Sequence, residues 1–308
     1  MRGWRNHRKK TRNSKNVMAK SKLVLGTVQF GQDYGINNTE GIPTKGEAFA
    51  LLDAARKGGI NTFDTAAAYG AAEEVLGEWI TTRDLADTVF IVSKMKANAP
   101  DVRREVEASL SRLGLQRLDG YLLHSPQDLY VESIMRGLRA VKDAGLALHI
   151  GVSVYEKTDA RRAIELGVDY IQVPYNVLDR RLDAADFFTF AKKNGVTVFA
   201  RSPFLQGLLL MKPEELPPHL FAARPHLVRF IEIAESYGLS QLEASLLYVY
   251  SHAPDHIVFG ANTTAQVKQI IGVLQREPAQ ASWIKEMEDA FRNVEEEIID
   301  PRLWKKIQ

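Results

Sequence analysis

The chain is predicted to fold as a single (β/α)₈ barrel, on three observations. Eight short β-branched or apolar runs alternate with amphipathic helical stretches. Most runs stand about 20–40 residues apart, the chain that a strand, a crossover helix and two short loops consume. No G-x-G-x-x-G follows the first run, which sets aside an open dinucleotide-binding sheet.

The runs, in order, are Leu23–Thr27, Ile60–Asp64, Thr88–Lys94, Leu118–His124, Leu148–Ser153, Tyr170–Pro174, Val196–Arg201 and His256–Gly260. Glycines punctuate the helices between them, with Gly58-Gly59 closing the first, Gly145 the fourth and Gly195 the sixth. The gap from Arg201 to His256 is longer. It carries a Pro-rich segment from Lys212-Pro213 to Pro225, then helical patterns over Leu227–Tyr237 and Gln241–Tyr250, and so reads as an enlarged loop after strand 7. Trp283 to Glu297 reads as a C-terminal helix ending near Asp300-Pro301.

At 308 residues, 45% apolar and 25% charged, the chain can bury a barrel core as one domain, assigned to residues 21–308. It has no cysteine, which excludes disulfides, thiolate nucleophiles and Cys-ligated zinc or iron–sulfur clusters. Its seven histidines are scattered with no H-E-x-x-H spacing, so no metal is expected. Apolar stretches such as Ala244 to Tyr250 fall far short of a membrane helix, and a soluble, cytoplasmic protein is expected. The net charge of +2 hides an asymmetry: residues 1–20 hold eight Lys or Arg and no acid, leaving 32 basic against 38 acidic residues in the rest. Such an arm can bind nucleic acid or an acidic membrane surface, or act as a transit segment. Lacking an apolar face, and with Met18 just ahead of strand 1, it is read as a disordered extension or an upstream start, with no nucleic-acid partner.

Barrel chemistry sits at the C-terminal strand ends, and titratable residues recur there. Asp64 ends strand 2, Lys94 strand 3 and His124 strand 4, while Tyr69 follows five residues after Asp64. Singly, each has an ordinary alternative as an N-cap, a solvated Lys, or a turn-capping His. Four on neighbouring strand ends are hard to explain as packing, because burying them is costly unless they pair. Together they suit protonation of an alkoxide formed by hydride transfer. The Lys94 ammonium would lower the Tyr69 phenol's pKa, Asp64 would hold Lys94 protonated, and His124 would donate to a carbonyl oxygen.

Phe63-Asp64-Thr65-Ala66-Ala67-Ala68-Tyr69-Gly70, Val92-Ser93-Lys94 and Leu122-Leu123-His124-Ser125-Pro126 resemble the signature regions of the aldo-keto reductases, over about Leu23 to Leu274. The resemblance implies a catalytic tetrad of Asp64, Tyr69, Lys94 and His124. It also implies a nicotinamide dinucleotide, NADP(H) with NAD(H) possible, lying extended across the barrel top. Thr27, Ser153 and Gln172 match positions at the nicotinamide end, although Val154 stands where most relatives have Asn. Arg201 replaces a Tyr that stacks on the nicotinamide, and its planar guanidinium could stack there or reach phosphate. Ser202, Leu205 and Gly207 match the pyrophosphate loop. Gly260, Asn262 and Gln266 match the adenosine end, where many relatives carry a Lys and an Arg; Lys268 is a substitute cation.

For the substrate, the loop after strand 1 contributes Gln29, Phe30 and Tyr34, joined by Met95 and Ser125 where relatives acting on apolar substrates carry aromatics. The polar character of this set points to a small polar carbonyl compound. Two other functions compete: a cofactor-binding regulatory or partner subunit with little turnover, and a Schiff-base aldolase with Lys94 as nucleophile.

Overall fold

Eight parallel strands close on themselves in sequence order. In the computed structural model, which describes residues 21–182, 186–252, 254–275 and 280–304, they are Leu23–Gly26 (β1), Thr62–Asp64 (β2), Phe90–Met95 (β3), Leu118–Leu123 (β4), Ala147–Ser153 (β5), Tyr170–Pro174 (β6), Thr197–Arg201 (β7) and His256–Phe259 (β8). β1 pairs with both β2 and β8, Leu25 lying opposite Phe63 and Leu23 opposite Ile257. Every run read from the sequence is a strand. Only the ends move by a residue or two, so Thr27, His124 and Gly260 stand just past the paired residues. The basic arm, 1–20, lies outside the described residues.

Side-chain alternation separates two apolar layers. Val24, Val92, Leu122, Tyr170, Phe199 and Val258 form one buried cluster, while Leu25, Phe63, Ile91, Tyr121 and Ile171 belong to a second, larger one. Within the first, Tyr170 stacks against His149 at 4.5 Å and tilts onto Phe199 at 5.1 Å, and Phe199 stacks on His256 at 4.5 Å. The second includes helix residues, and Phe63 meets Trp79 edge-on at 5.3 Å.

The helices are Lys45–Lys57 (α1), Ala72–Thr82 (α2), Val102–Leu113 (α3), Glu132–Asp143 (α4), Lys157–Glu165 (α5), Phe187–Lys193 (α6), Arg224–Ser236 (α7), Gln241–Ser251 (α8), Thr264–Val273 (α9), Ala281–Ala290 (α10) and Glu296–Ile299 (α11). α1, α8 and α9 start at capping boxes built on Thr44, Ser240 and Thr263. The long loop after β7 is three short 3₁₀ turns, Leu205–Leu210, Pro213–Glu215 and Pro218–Ala223, followed by α7 and α8. The C-terminal expectation needs correction. Trp283 to Glu297 is not one helix, for α10 stops at Ala290 and α11 begins at Glu296. Trp283, Met287 and Phe291 on one side of the break and Ile298 and Ile299 on the other are all buried.

Gly31, just after β1, fixes how the first two top loops meet. A Cβ at this position would stand 2.0 Å from the Tyr69 carbonyl oxygen and 2.6 Å from the Ala71 nitrogen. Both are backbone atoms that cannot swing aside. Gly31→Ala is expected to lower stability by about 2 kcal/mol, whereas Gly46→Ala, with nothing within 4 Å of the new methyl, should be neutral or stabilising. Urea midpoints of the two variants check this.

Candidate active site

Neighbouring strands deliver Asp64 from β2 and Lys94 from β3 to the barrel top, and the loop after β2 returns Tyr69 above them. Lys94 is fully buried. Its Nζ lies 2.7 Å from Asp64 Oδ2, 2.9 Å from the Thr65 carbonyl oxygen and 3.5 Å from the Tyr69 hydroxyl. An ammonium has three N–H donors, and these three acceptors match them. The second Asp64 oxygen accepts from Gln172 Nε2 at 2.7 Å, which ties β6 to β2 across the barrel. Thr27 donates its hydroxyl to the Asp64 carbonyl at 3.1 Å.

His124, one residue past β4, sets its ring edge-on to Tyr69 at 5.6 Å and 84°. Burial, reinforced by the charges of Lys94 and Arg201, pushes its pKa down to about 3. At neutral pH it is therefore an uncharged imidazole that can donate one N–H. Burial and then Asp64 raise the Tyr69 phenol well above its ordinary value. Against the expectation of a lowered pKa, the net direction is upward, with burial outweighing the opposing Arg201 charge. Lys94 is itself pushed down by burial, against the opposing pull of Asp64. A nucleophilic amine needs a lone pair, and one whose three N–H groups are engaged is poorly placed to offer it, which disfavours Schiff-base chemistry.

A cleft of about 460 Å³ runs from Asp64 and Tyr69 across the tops of β1, β7 and β8 to Gln269. Gln29, Tyr34, Gln172, Arg201, Ser202, Gly207, Gly260, Asn262 and Gln266 line it. Other sequence candidates stand elsewhere. Phe30 and Met95 do not line the cleft but are buried in the larger apolar cluster. Ser125, Ser153 and Leu205 also lie off the lining; Ser125 bonds Gln127 at 3.0 Å, and Ser153 is buried opposite Gln172. Lys268, the substitute cation, is exposed outside the cleft.

Several contributors were not singled out by sequence. Asn37 packs on Gly207, where a Cβ would meet its Oδ1 at 1.9 Å. The Ile36 N–H donates to the Gln206 carbonyl at 2.9 Å, and the Asn262 amide donates to Asn38 Oδ1. The loop after β1 thus reaches the loops after both β7 and β8. Asn37-Asn38 followed by Gly41 is a turn signal, and only the turn was legible. Leu205, Gln206 and Gly207 take three successive left-handed conformations, with φ of 46°, 54° and 97°. Such backbone persists where its surroundings over-determine it.

The Aldo/keto reductase family model matches residues 22–291. The chain belongs to that family. This aldo-keto reductase shares 33% identity over 213 residues with aldo-keto reductase YhdN of Bacillus subtilis, spanning 63% of this chain and 62% of that protein. It is 29% identical over 265 residues to methylglyoxal reductase YeaE of Escherichia coli, covering 83% and 86% of the two chains. Among solved structures, aldo-keto reductase AKR11C1 from Bacillus halodurans superposes with a TM-score of 0.75 over 93% of this chain and 97% of that one, at 20% identity. That likeness is one of fold. Among the described residues of this aldo-keto reductase, no helix is long and apolar enough to cross a membrane.

Two measurements test the electrostatics. Lys94→Met leaves Asp64 buried without its cation and should cost about 3 kcal/mol of stability at pH 7, read from urea unfolding; adding Asp64→Asn should recover part of it. His124 resists protonation in the folded state down to about 3, while the unfolded chain takes that proton near 6.5. Its contribution is complete above 6.5 and falls as pH descends through that window. The urea midpoint should therefore drop further between pH 7 and pH 4.5 for the unmodified protein than for His124→Gln.

Proposed function

We propose that this chain is an NAD(P)H-dependent oxidoreductase that reduces a small polar aldehyde or ketone to an alcohol, with Tyr69 as general acid. The observation that carries the reading is the convergence of Tyr69, Lys94, Asp64 and His124 at one end of an elongated cleft, with the Lys94 ammonium against the Tyr69 hydroxyl.

The lining suits an extended nicotinamide dinucleotide. Gln29 Oε1 is buried without a partner, and the amide of the same side chain lies where a Cβ on Gly260 would meet it at 2.2 Å, so bare backbone flanks it. Gln172 would serve the nicotinamide end, with Ser153 buried opposite it and Thr27 bracing the loop beneath. Ser202 and Gly207 would present backbone groups to the pyrophosphate, and Asn262 and Gln266 would meet the adenosine. When bound, the dinucleotide supplies the hydride.

The chain's own residues would handle the proton. A Tyr69 phenol with a raised pKa keeps its proton at neutral pH and can deliver it to a carbonyl oxygen that is becoming an alkoxide. As that proton leaves, the Lys94 ammonium beside the hydroxyl would stabilise the phenolate, and Asp64 would hold the ammonium in place. Neutral His124 would donate its N–H to the same carbonyl oxygen and orient it.

NADP(H) is the proposed cofactor, with weak discrimination against NAD(H). The α9 N-terminus is already capped from within: Gln266 Oε1 accepts from the Asn262 and Thr263 N–H groups at 2.7 and 3.3 Å, and the Thr263 hydroxyl accepts from the Gln266 N–H at 3.2 Å. A 2′-phosphate would have to displace Gln266, and among the described residues no Lys or Arg lines that end. Fluorescence titration should give NADPH and NADH dissociation constants within about tenfold of each other, a difference of 1.4 kcal/mol.

Tyr69→Phe should bind NADPH as the unmodified protein does and lose about 10²–10⁴-fold in kcat on a panel of small aldehydes. Tight NADPH binding without turnover by the unmodified protein would instead favour the cofactor-binding partner subunit. Failure to bind either nucleotide would overturn the reading.

A further inference from the structure

Charge is unevenly placed along the cleft. Its lining holds two ionised side chains, Asp64 and Arg201. Asp64 is balanced by Lys94 at 2.7 Å, and His124 is uncharged at neutral pH. Arg201 is therefore the cation of the lining that has no carboxylate set against it.

The nearby acids pair with other cations and not directly with it. Asp179, which feels the Arg201 charge, is buried and gripped at both oxygens by Arg181 at 2.9 Å. Asp300 is held by Arg302 and by Arg181 at 3.3 Å, and Glu156 by Arg181 at 3.1 Å. Among the described residues Arg201 has no ion pair of its own. What it does have is a fixed seat. Its guanidinium carbon lies 4.4 Å from the centre of the Tyr155 ring, which also carries Arg302 at 3.6 Å.

Position along the cleft is equally clear. Arg201 ends β7, paired with Pro174 and Val258, and its charge is felt by Tyr34, Tyr69 and His124, all at the catalytic end. Tyr34 comes from the loop after β1, and burial pushes its phenol up to about 12, so it remains a donor. A guanidinium fork and a hydroxyl then face the same space as the proton donor.

We propose that the substrate carries an anionic group, a carboxylate or a phosphate, close to its carbonyl, and that Arg201 and the Tyr34 hydroxyl receive that group. The inference rests on the reductase reading above and names its substrate class. A planar fork of N–H donors matches two oxygens of a carboxylate or phosphate at once, and a partly buried cation without a counter-ion favours a ligand that supplies one.

The test is steady-state reduction of matched pairs by the full chain with NADPH: glyceraldehyde 3-phosphate against glyceraldehyde, and succinic semialdehyde against butanal. The unmodified protein should favour the anionic member of at least one pair by about 30-fold in kcat/KM, the yield of a charged hydrogen-bonded contact. The preferred pair tells phosphate from carboxylate. Arg201→Met should collapse that ratio towards unity through KM, and Arg201→Lys should keep part of it. No anionic preference in the unmodified protein, or equal losses on both members with a weakened NADPH dissociation constant, would overturn the proposal and give Arg201 to the cofactor. A second readout does not need turnover. Phosphate and succinate titrated onto the NADP⁺-loaded protein should bind the unmodified form and Arg201→Lys more tightly than Arg201→Met. If no carbonyl is reduced, the reductase reading fails, while this binding arm still decides for or against an anion at Arg201.

Discussion

The top of this barrel is organised by one buried ion pair. Lys94 and Asp64 meet at 2.7 Å with almost no access to water, a placement costly for either charge alone. The remaining partners are what make it tolerable. Thr65 and Tyr69 take the other ammonium protons, and Gln172 donates to the free carboxylate oxygen. Four strands and loops are thereby held to one geometry, and the Tyr69 hydroxyl has a defined place because the pair beneath it does.

That pair also explains why the site is electrically quiet except at one spot. Its two charges cancel, burial keeps the imidazole and the phenol uncharged at neutral pH, and Asp179 and Asp300 are paired with Arg181 and Arg302. Arg201 stands out for lack of a counter-charge, not for closeness to any single atom.

Much of this was legible in the chain itself. Strand identity came through because buried parallel strands are short apolar runs bounded by turn residues, and the four polar strand-end groups stood out because such groups are out of place in a packed layer. Phe30 and Met95 were misplaced for the complementary reason. Strand-end and loop residues point into the cleft or into the wall according to register, which spacing alone does not set. The break between α10 and α11 was hidden because Trp283, Phe291 and Ile298 read as one apolar pattern. Contacts made only by tertiary proximity, such as Tyr155 beneath Arg201 or Asn37 on Gly207, leave no local trace at all.

Gly31 joins two functions that loop-bearing barrels usually keep apart. The segment that walls the cleft with Gln29 and Tyr34 is in backbone contact, through this glycine, with the segment that carries Tyr69. On most barrels the top loops diverge independently, and new specificities arise by changing one while the chemistry stays put. Here an insertion or a graft near residue 31 would shift Tyr69 together with the cleft wall.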